Sequence, residues 1–242
     1  MNRWGEKRYH SMDYDLKQLY GEKVYKITLN GGMTCPNRDG KIGHGGCIFC
    51  STAGSGDFAG PATCSITKQL AMGKENLTKK RPVHSYIAYF QAFTNTYAPV
   101  EYLRQIYMEA IQDPDVQILS IATRPDCLPE DVLQLLEEIN QIKPVWVELG
   151  LQTIHPQTAT YIRRGYPLEV FEEAVNNLRK RNISVITHTI LGLPGENEDM
   201  MLETIDYLNK MDIQGIKLQL LHILKGTDLA LDYEKQPFWS PS

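Results

Sequence analysis

The sequence lacks any apolar run approaching the ~18 residues that a transmembrane helix needs, so we expect no membrane partner. Its first residues, MNRWGEKRYHSMDY, also lack the apolar stretch of a secretory signal, which leads us to expect a cytoplasmic protein. Low-complexity segments, short internal repeats and a clear domain boundary are absent as well. A length of 242 residues suits one α/β unit, and we expect a single domain over residues 1–242.

A strong charge of one sign is also missing. The 25 Lys and Arg residues and the 29 Asp and Glu residues leave a net charge of −4, so no global basic field attracts nucleic acid. Two local basic clusters exist, Lys79-Lys80-Arg81 and Arg179-Lys180-Arg181. The second ends a predicted helix, where the helix dipole favours cations, and we interpret it as a solvated helix end.

Six apolar, β-branched runs predict strands, and their near-continuous hydrophobicity is typical of parallel strands buried on both faces. The predicted strands are Val24–Asn30, Ser85–Gln91, Val116–Ala122, Val145–Leu151, Ile183–Thr189 and Gly215–Leu221. Helical periodicity predicts helices over Ile66–Leu77, Pro99–Gln112, Pro129–Ile142, Leu168–Arg181 and Glu198–Met211. This alternation predicts successive βα units, which fit either an incomplete barrel or a doubly wound sheet. In both folds, ligands bind at the carboxyl ends of the strands.

The cysteine content is small and uneven. Of five cysteines, three lie in the long connection between the first two strands, as Cys35-x11-Cys47-x2-Cys50 with flanking glycines. Such crowding suggests metal ligands rather than disulfides. Three thiolates are one short of the usual cluster site and would leave one iron open to a ligand. Alternatively, Cys35, His44, Cys47 and Cys50 form a structural zinc site.

Two further cysteines, Cys64 and Cys127, are not excluded as a fourth ligand by their spacing. We interpret both as small, buried residues.

Polar residues at or just after the other strands form a second set of candidates: Gln91, Thr94, Asn95, Arg124, Glu148, Gln152, His188, Gln219, His222 and Lys225. Gln91, Thr94 and Asn95 either contact a ligand or cap a strand. Arg124 pairs either with a ligand carboxylate or with Asp126.

Two of these candidates lie inside apolar strands. Glu148 needs a partner because a buried charge is costly, and that partner is either a ligand or Lys217. His188 is either a satisfied core residue or a group that handles substrate or protons.

Five motifs occur in order along the chain. They are the cysteine loop with Phe49 before its last cysteine, then YFQAFTNTY at 89–97, TRPD at 123–126, ELGLQT at 148–153 and HTILGLPGE at 188–196. Taken together, they resemble the radical S-adenosylmethionine (SAM) superfamily. Within it the chain looks like the bacterial YtqA/YhcC group, which is similar to the catalytic subunit of Elongator. Two features depart from the pattern. The first cysteine gap is eleven residues rather than the superfamily's common three, as in this subgroup. We also expect the group's C-terminal extension, including a final helix, to be absent.

This resemblance implies a partial (βα)6 TIM-like barrel, a radical SAM core with residues 31–64 as its cluster-binding loop. It implies a [4Fe–4S] cluster on Cys35, Cys47 and Cys50, and reductive cleavage of SAM to a 5′-deoxyadenosyl radical. The implied cofactor-binding residues are Phe49, Gln91, Thr94, Asn95, Arg124, Gln152 and Gly192, and the implied catalytic residues are Glu148 and His188.

For partners, the resemblance implies a tRNA substrate, modified at the wobble-uridine side chain, and an electron donor such as flavodoxin or ferredoxin. Two alternatives stay open from the residues. One is a zinc-stabilised α/β binding module without catalysis, and the other is a radical SAM enzyme that acts on a small metabolite.

Overall fold

A computed structural model of the chain describes residues 3–79 and 82–239. Within them, one sheet of six parallel strands runs in the order of the sequence. The strands are β1 Tyr25–Leu29, β2 Tyr86–Phe90, β3 Val116–Thr123, β4 Val145–Gln152, β5 Ser184–Leu191 and β6 Gly215–Leu220. The sheet curves into a half-barrel, which confirms the implied partial barrel over the doubly wound sheet. Lys80 and Arg81 of the first basic cluster lie outside the described residues.

Helices connect the strands and cover the outer face of the sheet. They are α1 Met12–Tyr20, α2 Ile66–Thr78, α3 Val100–Ile111, α4 Glu130–Asn140, α5 Pro156–Tyr161, α6 Leu168–Lys180, α7 Glu198–Leu208 and α8 Asp228–Lys235. The five predicted helices are confirmed within a few residues, whereas α1, α5 and α8 were not predicted. The expectation that no final helix follows β6 is wrong. α8 escaped prediction because it is short and Leu229 is its one buried residue.

The two faces of the sheet pack differently. Outward-facing residues such as Leu29, Leu119 and Val147 are fully buried against the helices in the main core. At the amino end of the inner face, Ile87 and Ile118 instead pack against Leu16 of α1. Because successive side chains of a strand point to opposite faces, alternate residues of each strand pack into the outer and the inner core. α1 therefore closes the amino end of the half-barrel, and the carboxyl end remains for ligands.

The cysteine loop crosses the carboxyl end of the sheet and is anchored on its far side. Ile48 is buried in a small core formed by α5, α8 and the ends of β5 and β6. Its backbone N–H donates to the Ile162 carbonyl at 3.2 Å, and its carbonyl accepts from the Leu229 N–H at 3.0 Å. The loop that follows the first strand is thus fixed to the helix that follows the last.

None of the helices among the described residues has the length and apolar character required to span a membrane.

The α1 seal yields a stability prediction. Leu16→Ala is expected to lower the free energy of unfolding by about 2–5 kcal/mol, because it leaves a cavity between α1 and the inner face. Leu19→Ala is the matched control, since Leu19 lies on the same helix with 67% exposure. It is expected to change stability by less than about 0.5 kcal/mol. Urea unfolding of both variants measures the difference, and equal losses would contradict the role of α1 as a seal.

Candidate functional site

A cavity of about 270 Å³ opens at the carboxyl end of the strands. It gathers the three clustered cysteines, polar side chains from β2 to β6, and the residues that follow these strands. The predicted residues that line it are Cys35, Cys47, Phe49, Cys50, Gln91, Thr94, Arg124, Glu148, Gln152, His188, Gln219 and His222. Asn95, Gly192 and Lys225 are outside this lining. The sequence therefore predicted most of the site, although its contacts differ in several places.

The cysteine loop is held by Arg38, which the sequence analysis did not single out. Its guanidinium donates to the Cys50 carbonyl at 3.1 Å and to the Ser51 carbonyl. Gly46 lies directly against it, and a Cβ there would sit 2.9 Å from Arg38 Nε. Gly46 also has a φ of 88°, which only glycine adopts freely. Arg38 and Gly46 together fix the backbone on either side of the last two cysteines.

Asn37 is a second residue that sequence reasoning missed. This buried side chain donates from Nδ2 to the Arg163 carbonyl at 2.6 Å and approaches the Cys47 sulfur at 3.6 Å. Burial, reinforced by the nearby Cys50 thiol, raises the pKa of Cys47 to about 11. The two half-buried cysteines therefore share one environment, in which the Asn37 amide N–H points at the Cys47 sulfur. No local sequence signal marked Asn37, because its partner is more than a hundred residues away.

The donor set fits a multi-iron cluster better than a single ion. Across residues 3–79 and 82–239, no three His, Cys, Asp or Glu side chains converge closely enough to hold one metal ion. His44 lies away from the cavity with its ring against Gly40. A cubane cluster binds each thiolate at a separate iron, so its ligands stand further apart than those of a single zinc ion. Three thiols on one cavity wall match the cluster in number and chemistry.

The remaining cysteines do not join this set. Cys127 is 7% exposed, and its sulfur faces the Asp126 carboxylate at 3.7 Å. Cys64 lies outside the cavity lining, and its carbonyl accepts from Gln69.

Glu148 is the centre of a charged layer on the inner face, halfway down the half-barrel. Its side chain is fully buried, with Oε1 accepting from Lys26 and Ser120 and Oε2 lying 2.6 Å from Nε2 of His188. Burial opposes ionisation, but the hydrogen bond from His188 and the charge of Lys26 hold the pKa of Glu148 well below its ordinary value. Of the two partners considered for Glu148, Lys217 forms no ion pair with it, and Lys26 occupies Oε1 instead.

The surroundings of His188 favour its neutral form. Burial lowers its pKa, an effect that outweighs the attraction of the Glu148 carboxylate. A neutral ring that donates Nε2–H to Glu148 leaves Nδ1 as an acceptor.

Arg124 uses its fork on Asp126, the second of the two partners considered for it. Nε and Nη2 lie 2.9 and 2.7 Å from the two carboxylate oxygens, and Nη1 donates to the Arg164 carbonyl at 2.9 Å. Its binding groups are therefore occupied within the chain, and it rigidifies the turn after β3 rather than offering a free fork to a cofactor.

Gln152 has the features of an unfilled ligand contact. It adopts a φ of 70°, where the register between β4 and β5 shifts, and it lines the cavity. Within the described residues, its buried Oε1 has no hydrogen-bond partner. Gly150 makes room for the amide, since a Cβ there would lie 2.9 Å from Gln152 Nε2. A strained residue with an unsatisfied buried acceptor is a feature of binding sites.

Two predicted cofactor contacts are corrected by the structure. Asn95 is completely buried outside the cavity, where Nδ2 donates to the Ala122 carbonyl at 2.8 Å and ties the loop to β3. Gly192 begins the turn after β5 with a φ of 83°, and its N–H points at the Met201 sulfur. Both residues shape the walls of the site without facing it.

The Glu148 network yields the second prediction. Glu148→Gln removes the carboxylate that compensates Lys26, and is expected to lower the unfolding free energy by about 3–5 kcal/mol. Glu138→Gln is the control, since Glu138 forms an exposed ion pair with Arg104 worth less than about 1 kcal/mol.

The wild type is also expected to lose stability as the pH falls. Below the ordinary pKa of 6.5 for His188, and then of 4.5 for Glu148, the unfolded chain binds protons before the folded one does. The groups that face Glu148 are Lys26, Tyr89, His188 and Lys217. Denaturant unfolding between pH 7 and pH 4 measures the effect. If Glu148→Gln showed the same slope below pH 4.5 as the wild type, the depressed pKa would be refuted.

Comparison with known proteins places the chain. Residues 35–208 match the radical SAM superfamily. The chain is 52% identical over 230 residues to the uncharacterized protein YtqA of Bacillus subtilis, covering 95% of this chain and 71% of that protein. It is 44% identical over 221 residues to YhcC of Escherichia coli, covering 91% and 70%. Shorter matches below 30% identity include the tRNA uridine(34) acetyltransferase of Methanocaldococcus jannaschii.

Among solved structures, the archaeal Elp3 of Methanocaldococcus infernus superposes with a TM-score of 0.66. The match covers 90% of this chain and 50% of that chain at 17% identity, so it shows a shared fold. The superfamily match spans the three clustered cysteines and the strands β2 to β5, and the resemblance inferred from the sequence motifs is confirmed. The chain belongs to the radical SAM superfamily.

Proposed function

We propose that Cys35, Cys47 and Cys50 hold a [4Fe–4S] cluster with which this enzyme cleaves SAM, in order to modify a wobble-uridine side chain in tRNA. The observation that carries the proposal is the convergence of three cysteines and an unsatisfied buried amide, that of Gln152, on one cavity. Superfamily membership implies both cofactors in general terms. With them bound, the site supplies a 5′-deoxyadenosyl radical, which removes a hydrogen atom from the substrate.

The chain's own residues position and shield these groups. Arg38 and Asn37 hold the loop so that three cysteines line the cavity, where they would bind three irons of a cluster and leave the fourth to a ligand. Phe49, Gln91, Thr94 and Gln152 line the same cavity and are the proposed cofactor contacts.

The lower part of the half-barrel keeps water out. The apolar layer around Leu16 closes its amino end to solvent. Above it, Glu148 and His188 are the proposed catalytic pair. Glu148 fixes Nε2–H of His188, and Nδ1 remains available to accept a proton from substrate.

The tRNA substrate is supported by relatedness rather than by charge. Enzymes named for tRNA modification match this chain over less than half its length. The resemblance to the Elongator group points to the wobble uridine, with conversion of a carboxymethylaminomethyl group towards an aminomethyl group. Because the chain is acidic overall and has few basic clusters, its contact with RNA must come from specific local residues rather than from general attraction to phosphate. We propose a small electron-transfer protein such as flavodoxin or ferredoxin as the reductant.

The cofactor proposal predicts 5′-deoxyadenosine. After anaerobic reconstitution with iron and sulfide, the wild type is expected to turn brown and to form 5′-deoxyadenosine from SAM on reduction. Cys47→Ala is expected to lose cluster absorbance and at least ~100-fold in product. Cys64→Ala is the control cysteine variant, and is expected to match the wild type because Cys64 lies outside the cavity. A colourless protein that retains zinc alone would refute the proposal and favour the binding module.

The substrate proposal has its own test. Addition of tRNA whose wobble uridine still carries the carboxymethylaminomethyl group is expected to raise 5′-deoxyadenosine formation. Nucleoside mass spectrometry is then expected to show a changed wobble uridine. Binding should weaken as salt rises, because phosphate contacts release counterions. If product forms from SAM but tRNA neither binds nor changes, the radical chemistry stands and a small-metabolite substrate replaces tRNA.

A further inference from the structure

Lys217 is a half-buried cation that makes no direct contact with an anion in the described part of the chain. It lies on the inner face of β6 and lines the cavity beside His188, its register partner on β5. Among the described residues, its Nζ has neither a hydrogen bond nor an ion pair. Its one close contact is the face of Tyr89, with the ring centroid 5.7 Å away. An ammonium group placed this way faces the cavity, and the charges of Glu148 and Lys26 act on it without a direct contact.

The other cations of the cavity are already satisfied. Lys26 pairs with Glu148, Arg124 pairs with Asp126, and Arg38 donates to carbonyl oxygens of the cysteine loop. Arg164 also donates to backbone carbonyls. Lys217 therefore differs from its neighbours, because its binding capacity is unused.

Glu148 does not neutralise Lys217. Oε1 is taken by Lys26 and Ser120, and Oε2 is taken by His188. The layer thus holds two lysines and one carboxylate beside His188. A cation without a direct partner in this partly buried space is costly. Burial accordingly lowers the pKa of Lys217.

One lysine without a direct partner fits one singly charged group. A carboxylate carries one negative charge, whereas a phosphate monoester carries nearly two. Gln219 and His222, which follow Lys217 in the chain, also line the cavity nearer its mouth.

We propose that Lys217 is the binding group for a ligand carboxylate on the floor of this cavity. The inference rests on the proposed function for the identity of that ligand. Two sources share the chemistry: the methionine carboxylate of SAM, and a carboxylate on the substrate.

The binding site is tested first without cofactor or substrate. Thermal unfolding of the full chain is followed in sodium acetate and in sodium chloride of equal ionic strength. Acetate is expected to stabilise the wild type relative to chloride, because a ligand that binds the folded state raises its stability. Lys217→Met is expected to lose this acetate effect, while Lys210→Met, at an exposed position, keeps it.

The same experiment distinguishes a ligand-binding role of Lys217 from a purely structural role. Because Met fills a similar volume without an unpaired charge, Lys217→Met in chloride is expected to unfold at the wild-type temperature or above. A lower unfolding temperature, or an acetate effect equal to that of the wild type, would overturn the carboxylate site. Neither result bears on whether the cysteines hold a cluster.

The source of the carboxylate is identified by a pair of nucleosides. S-adenosylhomocysteine carries the amino-acid carboxylate and 5′-methylthioadenosine lacks it. If Lys217 holds the SAM carboxylate, Lys217→Met should bind the first about 10- to 100-fold more weakly and the second equally well. If both affinities are unchanged while the acetate effect is lost, the carboxylate belongs to the substrate.

Discussion

The buried carboxylate of Glu148 is the interaction on which the interior of this half-barrel depends. An open curved sheet must keep its inner face polar enough to receive ligands while it limits the number of unpaired charges. Glu148 on β4 contributes to this by joining four strands, through Lys26 on β1, Ser120 on β3 and His188 on β5. If one partner is removed, the others remain in a low-dielectric environment without a compensating charge or hydrogen bond. The same network orients His188 and prevents Lys26 from competing for anions in the cavity.

Above this layer, the shape of the cavity wall depends on glycines that leave space for neighbouring side chains. Gly46 and Gly150 each leave the space that a neighbouring side chain occupies, Arg38 in one case and Gln152 in the other. The thiols are then presented on a loop that long-range contacts hold in place. Preorganisation of this kind lowers the ordering cost when a large inorganic group is bound.

The sequence predicted the strands well because each is a continuous apolar run, and it predicted the cysteines because their spacing is local. It did not predict contacts that join distant parts of the chain. Asn37 meets the carbonyl of Arg163, and Lys26 meets Glu148, across more than a hundred residues. Asn95 was predicted as a ligand contact because it follows a strand, but in the folded chain its side chain is buried away from the cavity. Helix α8 was missed because one buried leucine leaves almost no periodic signal.

The anchoring of Ile48 to Leu229 has a topological consequence. In the described part of the chain, β1 and β6 are the two edges of the sheet and do not pair with each other. The loop that leaves β1 nevertheless reaches the helix that follows β6 and shares a hydrogen bond with it. The gap between the two edge strands, which no strand pairing closes, is therefore bridged by apolar packing and by this one backbone hydrogen bond. The three cysteines lie on the segment that spans the gap.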